Sequence, residues 1–139
     1  MVDYVIGCDP DAQGSGFAVF EDGKLKELHN MNVMQLVQFI TDRKDHSMHF
    51  ASENVLERNK IFGRQGIVNR ARCVGMCQQV QREIVHVLEY FNISYTLYPI
   101  SKDFKKGAMF KAKTGWQGRS NEETRSAAYF GCKYLGIIL

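Results

Sequence analysis

The first apolar stretch of the chain, Tyr4 to Cys8, ends at Asp9 and is followed by a segment suited to reversing the chain. Pro10 to Gly16 is rich in turn-forming residues, and the apolar pattern resumes at Gly16 to Phe20. A short buried strand, a turn and a returning strand predict an antiparallel hairpin. Such a hairpin commits the chain to a β-sheet with an aspartate at the end of its first strand.

The rest of the chain predicts helices alternating with strands. The predicted elements are a hairpin turn at Glu21 to Gly23, a polar strand around Lys24 to His29, a helix at Val33 to Arg43, a strand at Met48 to Ser52 that ends on Glu53, a long helix from Gly66 to about Tyr90, a strand at Ile93 to Tyr98, a mobile loop or very short element at Ser101 to Arg119, and a last helix that begins at Ser120. The order βββαβαβα predicts an α/β fold with a mixed five-stranded sheet flanked by helices. At 139 residues, we expect one domain over 1–139.

The long predicted helix carries an apolar stripe at helical spacing, which we expect to face the core. Its members are Ile67, Ala71, Val74, Cys77, Val80, Ile84, Val87 and Leu88. Near Gly75 the same face is a candidate contact between two copies of the chain. Buried thiols are expected in place of zinc ligands, because no Cys-x-x-Cys pair occurs among Cys8, Cys73, Cys77 and Cys132.

The distribution of charged residues along the chain indicates more about its function than the net charge does. A net charge of +3 is too small to establish nucleic-acid binding by itself. Acidic residues near the strand ends are nevertheless surrounded by basic segments, as expected for a metal centre that acts on a polyanion. Because the apolar runs are short and no signal-like segment opens the chain, we expect a cytoplasmic protein without a membrane span.

Carboxylates at strand ends suggest metal chemistry. Hydrolysis of a phosphodiester by two metal ions requires several carboxylates that converge on one point, because the cations repel one another. If the first and fourth strands are neighbours, Asp9 and Glu53 emerge side by side at one edge of the sheet. Glu122 or Glu123, at the start of the last helix, would complete the set of catalytic and metal-binding residues.

Four segments, in order, give the chain a family resemblance. They are Ile6-Gly-Cys-Asp-Pro-Asp-Ala-Gln-Gly-Ser-Gly-Phe-Ala-Val19; Ala51-Ser-Glu53 with the helix motif Asn69-Arg-Ala-Arg-Cys-Val-Gly75; Tyr98-Pro99 with its lysine-rich continuation; and Asn121-Glu-Glu-Thr-Arg-Ser-Ala-Ala128. Together they resemble the RuvC-type Holliday-junction resolvases of the ribonuclease H-like superfamily, in a small, phage-like or prophage-like form.

The resemblance implies a homodimeric endonuclease that cuts four-way DNA junctions with Mg2+, for which Mn2+ should substitute. It also implies an aromatic wedge after the second acid, for which Phe62 is the candidate. Basic residues on the two loops are expected to contact phosphates. They are Arg58, Lys60 and Arg64 near the wedge and Lys105, Lys106, Lys111 and Lys113 after Pro99.

The chain departs from the family pattern on its last helix. The resemblance implies two acids three residues apart, but Ser126 is the third residue after Glu123. Glu122 is a candidate replacement. Ser120 and Glu123 also fit a helix capping box, which would divert Glu123 from metal binding.

Four other interpretations compete with a junction resolvase. Asp9 to Phe20 resembles a calcium loop, but it ends on Phe20 where such a loop requires a glutamate. A sugar-kinase or actin-like ATPase would need two such domains. A ribonuclease H-like nuclease acting on other DNA or RNA would share all the metal residues. A catalytically inactive nucleic-acid-binding relative would explain Ser126.

Overall fold

The computed structural model describes residues 1–57, 67–101 and 106–137 of the chain. Its elements are β1 (Tyr4–Asp9), β2 (Ser15–Glu21), β3 (Lys24–Met31), α1 (Val33–Asp42), β4 (Met48–Glu53), a 3-10 turn (Val55–Glu57), α2 (Ile67–Tyr90), β5 (Ser94–Tyr98), α3 (Gly107–Thr114) and α4 (Glu122–Leu135). The predicted α/β order is confirmed. The short helix α3 is an addition to it, within the segment predicted as a loop or very short element.

The five strands form one mixed sheet in the order β3-β2-β1-β4-β5. The first three strands are antiparallel neighbours, whereas β4 runs parallel to both β1 and β5. Cys8 pairs with Ser52 in the register of β1 and β4. The next residues of these strands, Asp9 and Glu53, therefore lie at neighbouring positions on one edge of the sheet.

Helices cover the two faces of the sheet in different ways. The face beneath α1 and α2 is filled by bulky side chains, among them Phe17, Phe50 and Leu36. On the opposite face, α4 approaches the strands so closely that a Cβ on Gly7 would overlap the carbonyl oxygen of Ala127. Small residues thus bring the backbone of α4 directly against β1.

The predicted burial of the stripe on α2 is correct only for the second half of that helix. Ile84 and Leu88 are buried, but Val74, Cys77, Val80 and Val87 are half-buried, and Ala71 and Cys73 are exposed. The side chain of Ile67, also predicted for the stripe, lies outside the described part of the chain. Length explains the difference. A helix of 24 residues extends roughly 36 Å, whereas the six residues of β4 extend about 20 Å. The first half of α2 therefore projects beyond the sheet, and the expected buried thiol at Cys73 is wrong.

The predicted cap of the last helix is also wrong. Asn121, not Ser120, is the N-cap of α4, and its side chain accepts a hydrogen bond from the backbone N–H of Thr124. The Thr124 hydroxyl accepts from the Asn121 N–H in return. Ser120 instead accepts a hydrogen bond from the guanidinium of Arg125. Glu123 is therefore not occupied by helix capping.

In the part of the chain that the structure covers, no helix is both long enough and apolar enough to cross a membrane.

Candidate metal centre and nucleic-acid interface

Asp9 and Glu53 lie on the same face of the sheet. Gly7 contacts α4, and Asp9 follows it by two residues, so both belong to that face. His49 stacks on Tyr134 of α4, which places Glu53, four residues later in β4, on that face as well. Neighbouring strands are about 4.8 Å apart, so the two carboxylates can share one cation. The sequence-based prediction that these acids are adjacent is confirmed.

The burial of Glu53 favours a bound cation. Glu53 is only 5% exposed, while Asp9 is half-buried. Within the described residues, no side chain donates a hydrogen bond or forms an ion pair with the Glu53 carboxylate. Removing an ionised carboxylate from water is costly unless a cation or hydrogen bonds compensate. A divalent ion between Glu53 and Asp9 would supply that compensation.

The neighbouring thiol of Cys8 does not belong to this site. Burial raises the pKa of Cys8, and the negative charges of Asp9 and Glu53 raise it further, although a hydrogen bond with Ser52 opposes them. The thiol therefore stays protonated at neutral pH. Since metal binding and nucleophilic attack require the thiolate, Cys8 serves as a packing residue of the α1 and α2 face.

The first turn of α4 lies next to the strand that carries Asp9. Asp9 pairs with Gly16 of β2, and a Cβ on Gly16 would overlap the carbonyl group of Glu123. The side chain of Asn121 also donates a hydrogen bond of 2.6 Å to Asn30 of β3. Glu123 is half-buried here and Glu122 is exposed. Both remain candidates for the third carboxylate.

The site residues fit a hard cation only in part. Carboxylate oxygens are the ligands that Mg2+ and Mn2+ favour, and Asp9 and Glu53 supply them. Among the described residues, however, no group of three or more His, Cys, Asp or Glu side chains is placed to hold a metal. Ser126 is 1% exposed, and its hydroxyl has no hydrogen-bond partner there. The resemblance implies an acid at this position, so the third carboxylate stays a prediction.

Asp11, in the turn after Asp9, has a structural role. Asp11 accepts a hydrogen bond of 3.0 Å from the backbone N–H of Gln13, and its own N–H donates to the Ser15 hydroxyl. This local bonding stabilises the turn between two strands. An EF-hand loop connects two helices, so the calcium-loop interpretation fails. Glu57, in the 3-10 turn after β4, is exposed.

The candidate nucleic-acid contacts are only partly covered by the structure. Arg58, Lys60, Phe62, Arg64 and Lys105 lie outside the described residues. Lys106 is the N-cap of α3, Lys111 and Lys113 lie in its last turn, and all three are exposed. The phosphate contacts proposed for them stay predictions.

Two further basic residues, which the sequence alone did not single out, lie near Lys111. Arg119 and Arg125 line a cleft of about 780 Å3 between α3 and the start of α4 together with that lysine. The sequence signal was the basic character of Lys111 to Arg125. That signal does not show which of these residues lie together. The structure does, because α3 and the start of α4 line the same cleft.

Trp116 holds the connection between these helices in place. It packs against the core beneath α4, and its indole N–H donates a hydrogen bond of 3.0 Å to the carbonyl of Arg119. Trp116 therefore anchors the basic connection between α3 and α4 against the core.

The chain was compared with known families, curated proteins and solved structures. No family model matches it, and no curated protein matches it. Among solved structures, it is similar to Thermus thermophilus RuvC in complex with a Holliday junction substrate, with a TM-score of 0.55 and 15% identity over 96% of this chain and 94% of the other. A second Thermus thermophilus RuvC structure matches with a TM-score of 0.49 and 16% identity over 96% and 97%. The first likeness shows that the chain has the RuvC-like, ribonuclease H-like fold.

Proposed function

We propose that the protein is a divalent-metal-dependent endonuclease that resolves four-way DNA junctions. The observation that carries this proposal is the adjacent placement of Asp9 and Glu53 at one edge of a RuvC-like sheet. The similar RuvC structure contains a Holliday junction substrate, which supports branched DNA as the substrate class. Mg2+ is the proposed ion, with Mn2+ as a substitute.

In this proposal the acids of the chain hold the ions and the basic residues hold the DNA. A divalent cation at Asp9 and Glu53 would supply an activated water and stabilise the charge on the phosphate. Asp9 and Glu53 fix that position because both strands end there. Glu123 or Glu122 would add a carboxylate from the first turn of α4. Lys106, Lys111 and Lys113 would bind the sugar-phosphate backbone on either side of the cut.

Substitution of Asp9 tests the metal centre, and the chain offers a matched control two residues later. Asp9→Asn removes a charge and a ligand, so we expect junction cleavage to fall by more than about 100-fold. Asp11→Asn makes the same chemical change, but asparagine can accept the same turn hydrogen bond. We therefore expect near-normal cleavage from Asp11→Asn. Equal activity of both variants in Mg2+ and Mn2+ would refute the assigned centre.

The substrate is tested separately. Immobile four-way junctions should be cut in preference to duplex, flapped DNA and RNA–DNA hybrids of matched sequence. Preference for a flap or a hybrid would favour the alternative of a ribonuclease H-like nuclease with another substrate. A junction resolvase and a nuclease with another substrate would both lose activity with Asp9→Asn, so only the comparison of substrates separates them.

An inactive nucleic-acid-binding relative is a second candidate, favoured by the hydroxyl of Ser126 at the position of an expected acid. Such a protein would bind junctions but neither cut them nor bind Mn2+. Isothermal titration with Mn2+, alongside the cleavage assay, decides between the two candidates.

A homodimer is proposed because two active sites are needed for paired cuts. The exposed first half of α2 supports it, since Cys73, Gly75 and Met76 there are exposed. In the described part of the chain, no heavy atom lies within 4 Å of a Cβ on Gly75, apart from the chain neighbours and helix backbone next to Gly75 itself. Sedimentation equilibrium should give twice the 15.9 kDa mass, and Gly75→Arg should shift it towards the monomer.

A further inference from the structure

We propose that the cleft between α3 and the start of α4 binds a phosphate group of the nucleic-acid backbone through Lys111, Arg119 and Arg125. The proposal deepens the proposed function and rests on it for the identity of the polyanion. It assigns a backbone-binding role to two arginines that lie apart from the lysine-rich segment after Pro99.

The lining of the cleft is cationic. It consists of Gly107, Ala108, Lys111, Gln117, Gly118, Arg119, Ser120 and Arg125, with no acidic residue among them. In the described parts of the chain, the ion pairs join Glu27 to His29 and Arg43, and Asp3 to His46. None of these acids reaches Lys111 or Arg119. Cationic side chains that share a cleft repel one another, so an anion bound between them would be stabilised.

Arg125 is held by its side chain, and Arg119 by its backbone, before any ligand binds. Nη1 of Arg125 donates a hydrogen bond of 3.1 Å to the Ser120 hydroxyl, and Arg125 is half-buried. The backbone at Arg119 is fixed by the indole of Trp116. Gly118 lies against the same ring, since a Cβ there would be 3.2 Å from indole atoms. Holding the groups in advance lowers the entropy lost when a ligand is bound.

The end of α3 contributes to the same arrangement. The helix stops at Gly115, which adopts a left-handed conformation with φ of 73° and donates its N–H to the carbonyl of Lys111. A residue with a side chain adopts this conformation less readily. The turn directs the chain back to Trp116 and Arg119, and it leaves Lys111 on the last turn of α3 at the cleft.

The chemistry of the lining selects a phosphate over other ligands. A guanidinium can donate two parallel hydrogen bonds to phosphate oxygens, and an ammonium adds a point charge. Apart from Ala108, the remaining lining residues are glycine or polar, so no large apolar side chain lines the cleft to receive a hydrophobic ligand. The exposed positions of Lys111 and Arg119 leave room for a continuous strand to pass.

The cleft is also well placed relative to the proposed metal centre. Arg125 belongs to the first turns of α4, within about 5 Å along the helix axis of Glu122 and Glu123. That end of α4 lies over Gly16, the partner of Asp9. A strand cut beside Asp9 can therefore present a neighbouring phosphate to Arg125. The cleft would hold the strand in register while the acids act on it.

Binding should be measured with a fluorescently labelled four-way junction and a duplex of the same length, in EDTA so that no cleavage occurs. The variants are Arg119→Gln, Arg125→Gln, Lys111→Gln and the double variant in which both arginines are replaced by glutamine. We expect each single variant to weaken binding roughly three- to tenfold on both DNAs. The slope of log K against log salt should fall by about 0.9 per lost contact.

Lys44→Gln is the matched control, because it removes an exposed cation near the opposite edge of the sheet, just before β4. Its affinity and salt slope should equal those of the wild type. Unchanged thermal unfolding confirms that the arginine variants are folded. Since Arg125 is half-buried, Arg119→Gln and Lys111→Gln keep the test valid if Arg125→Gln is unstable. An unchanged affinity and salt slope for Arg119→Gln and Lys111→Gln would overturn the proposal.

Two further readouts separate possible sources of error. If inorganic phosphate stabilises the wild type but not the double variant, while DNA affinity is the same for both, the cleft binds small anions and the backbone assignment is wrong. If the wild type cuts no junction in Mg2+ or Mn2+ while the arginine variants lose DNA affinity, the cleft stands and the nuclease assignment fails. If the wild type cuts junctions and the arginine variants keep full DNA affinity, the proposal for the cleft fails and the nuclease assignment stands.

Discussion

The two faces of the sheet differ in how tightly their helices are fixed. On one face, the backbone of α4 contacts β1 and β2 at Gly7 and Gly16, where no side chain would fit. On the other, α1 and α2 rest on bulky side chains, and the first half of α2 extends past the strands. The proposed metal centre and phosphate cleft both depend on α4. A backbone contact leaves no side chain between α4 and the strands that could repack, whereas the layer of large side chains on the other face can repack.

The largest effect is expected where α4 and β1 approach most closely. Gly7→Ala would place a methyl group on the carbonyl oxygen of Ala127, and backbone atoms cannot rotate away. We expect unfolding free energy to fall by about 3 kcal/mol or more, with loss of junction cleavage. Urea unfolding measures the first quantity. An alanine tolerated at little cost would show that α4 adjusts as easily as α2.

Ser126 tests whether the fixed face can accept a complete acid cluster. Ser126→Asp would add a buried carboxylate on α4, so metal-free stability should fall by about 2 kcal/mol. If the new carboxylate joins Asp9 and Glu53, Mn2+ at roughly 100 times its Kd should restore about 2.7 kcal/mol. Thermal unfolding with and without Mn2+ measures both effects.

Ser126→Ala is the control for that experiment. It removes a buried hydroxyl that has no partner in the described residues, so metal-free stability should not fall. Its response to Mn2+ should match that of the wild type. If Ser126→Asp responds to Mn2+ no more strongly than Ser126→Ala, position 126 does not face the metal.

Sequence patterns predicted the parts of this fold that depend on short-range order. The short, mainly apolar segments Tyr4 to Cys8 and Met48 to Ser52 identified two strands, and the acids that end them lie at neighbouring positions as expected. The start of α4 was harder to predict, because Ser120 with Glu123 and Asn121 with Thr124 both resemble capping boxes. Tertiary contacts distinguish them, since Asn121 also bonds to Asn30 and Ser120 bonds to Arg125.

The differences between prediction and structure at α2 and α3 have another cause. The apolar stripe of α2 correctly indicated a helix, but periodicity does not reveal how far a sheet extends beneath it. The segment of α3 has few branched apolar residues, and only Phe110 of that helix is buried. A helix stabilised by one buried side chain leaves a weak pattern. The weak pattern of α3 is also the reason why the sequence did not predict the cleft formed by Lys111, Arg119 and Arg125.

On the looser face, a glycine should be replaceable. Apart from its chain neighbours and the surrounding helix backbone, no described atom lies within 4 Å of a Cβ on Gly75, so Gly75→Ala should stabilise the helix by about 0.5 to 1 kcal/mol. Chemical unfolding at low protein concentration measures this gain. If a second copy covers this face, the gain should shrink or reverse at high concentration, where sedimentation detects the dimer. A loss of stability at every concentration would contradict an open, adjustable face.

The smallest effect is expected from His49, beneath the C-terminal part of α4. Its ring stacks on Tyr134 at 4.1 Å, and its two nitrogens form hydrogen bonds with the hydroxyls of Ser94 and Thr96. Burial lowers the pKa of His49 below its usual 6.5. The unfolded chain therefore takes up a proton more readily than the folded protein does. The stabilising contribution is complete above pH 6.5 and is lost as the pH falls towards the pKa of the folded state.

His49→Gln should remove this part of the pH dependence. Urea unfolding at pH 7.5 and 5.5 should show a smaller difference for the variant than for the wild type. His86, exposed on α2, provides the matched control, because His86→Gln changes a histidine that is not enclosed by the sheet. The unfolding free energy of His86→Gln should change between pH 7.5 and 5.5 as that of the wild type does. If both variants flatten the dependence equally, the two faces do not differ at their histidines, and burial under α4 has no special effect on His49.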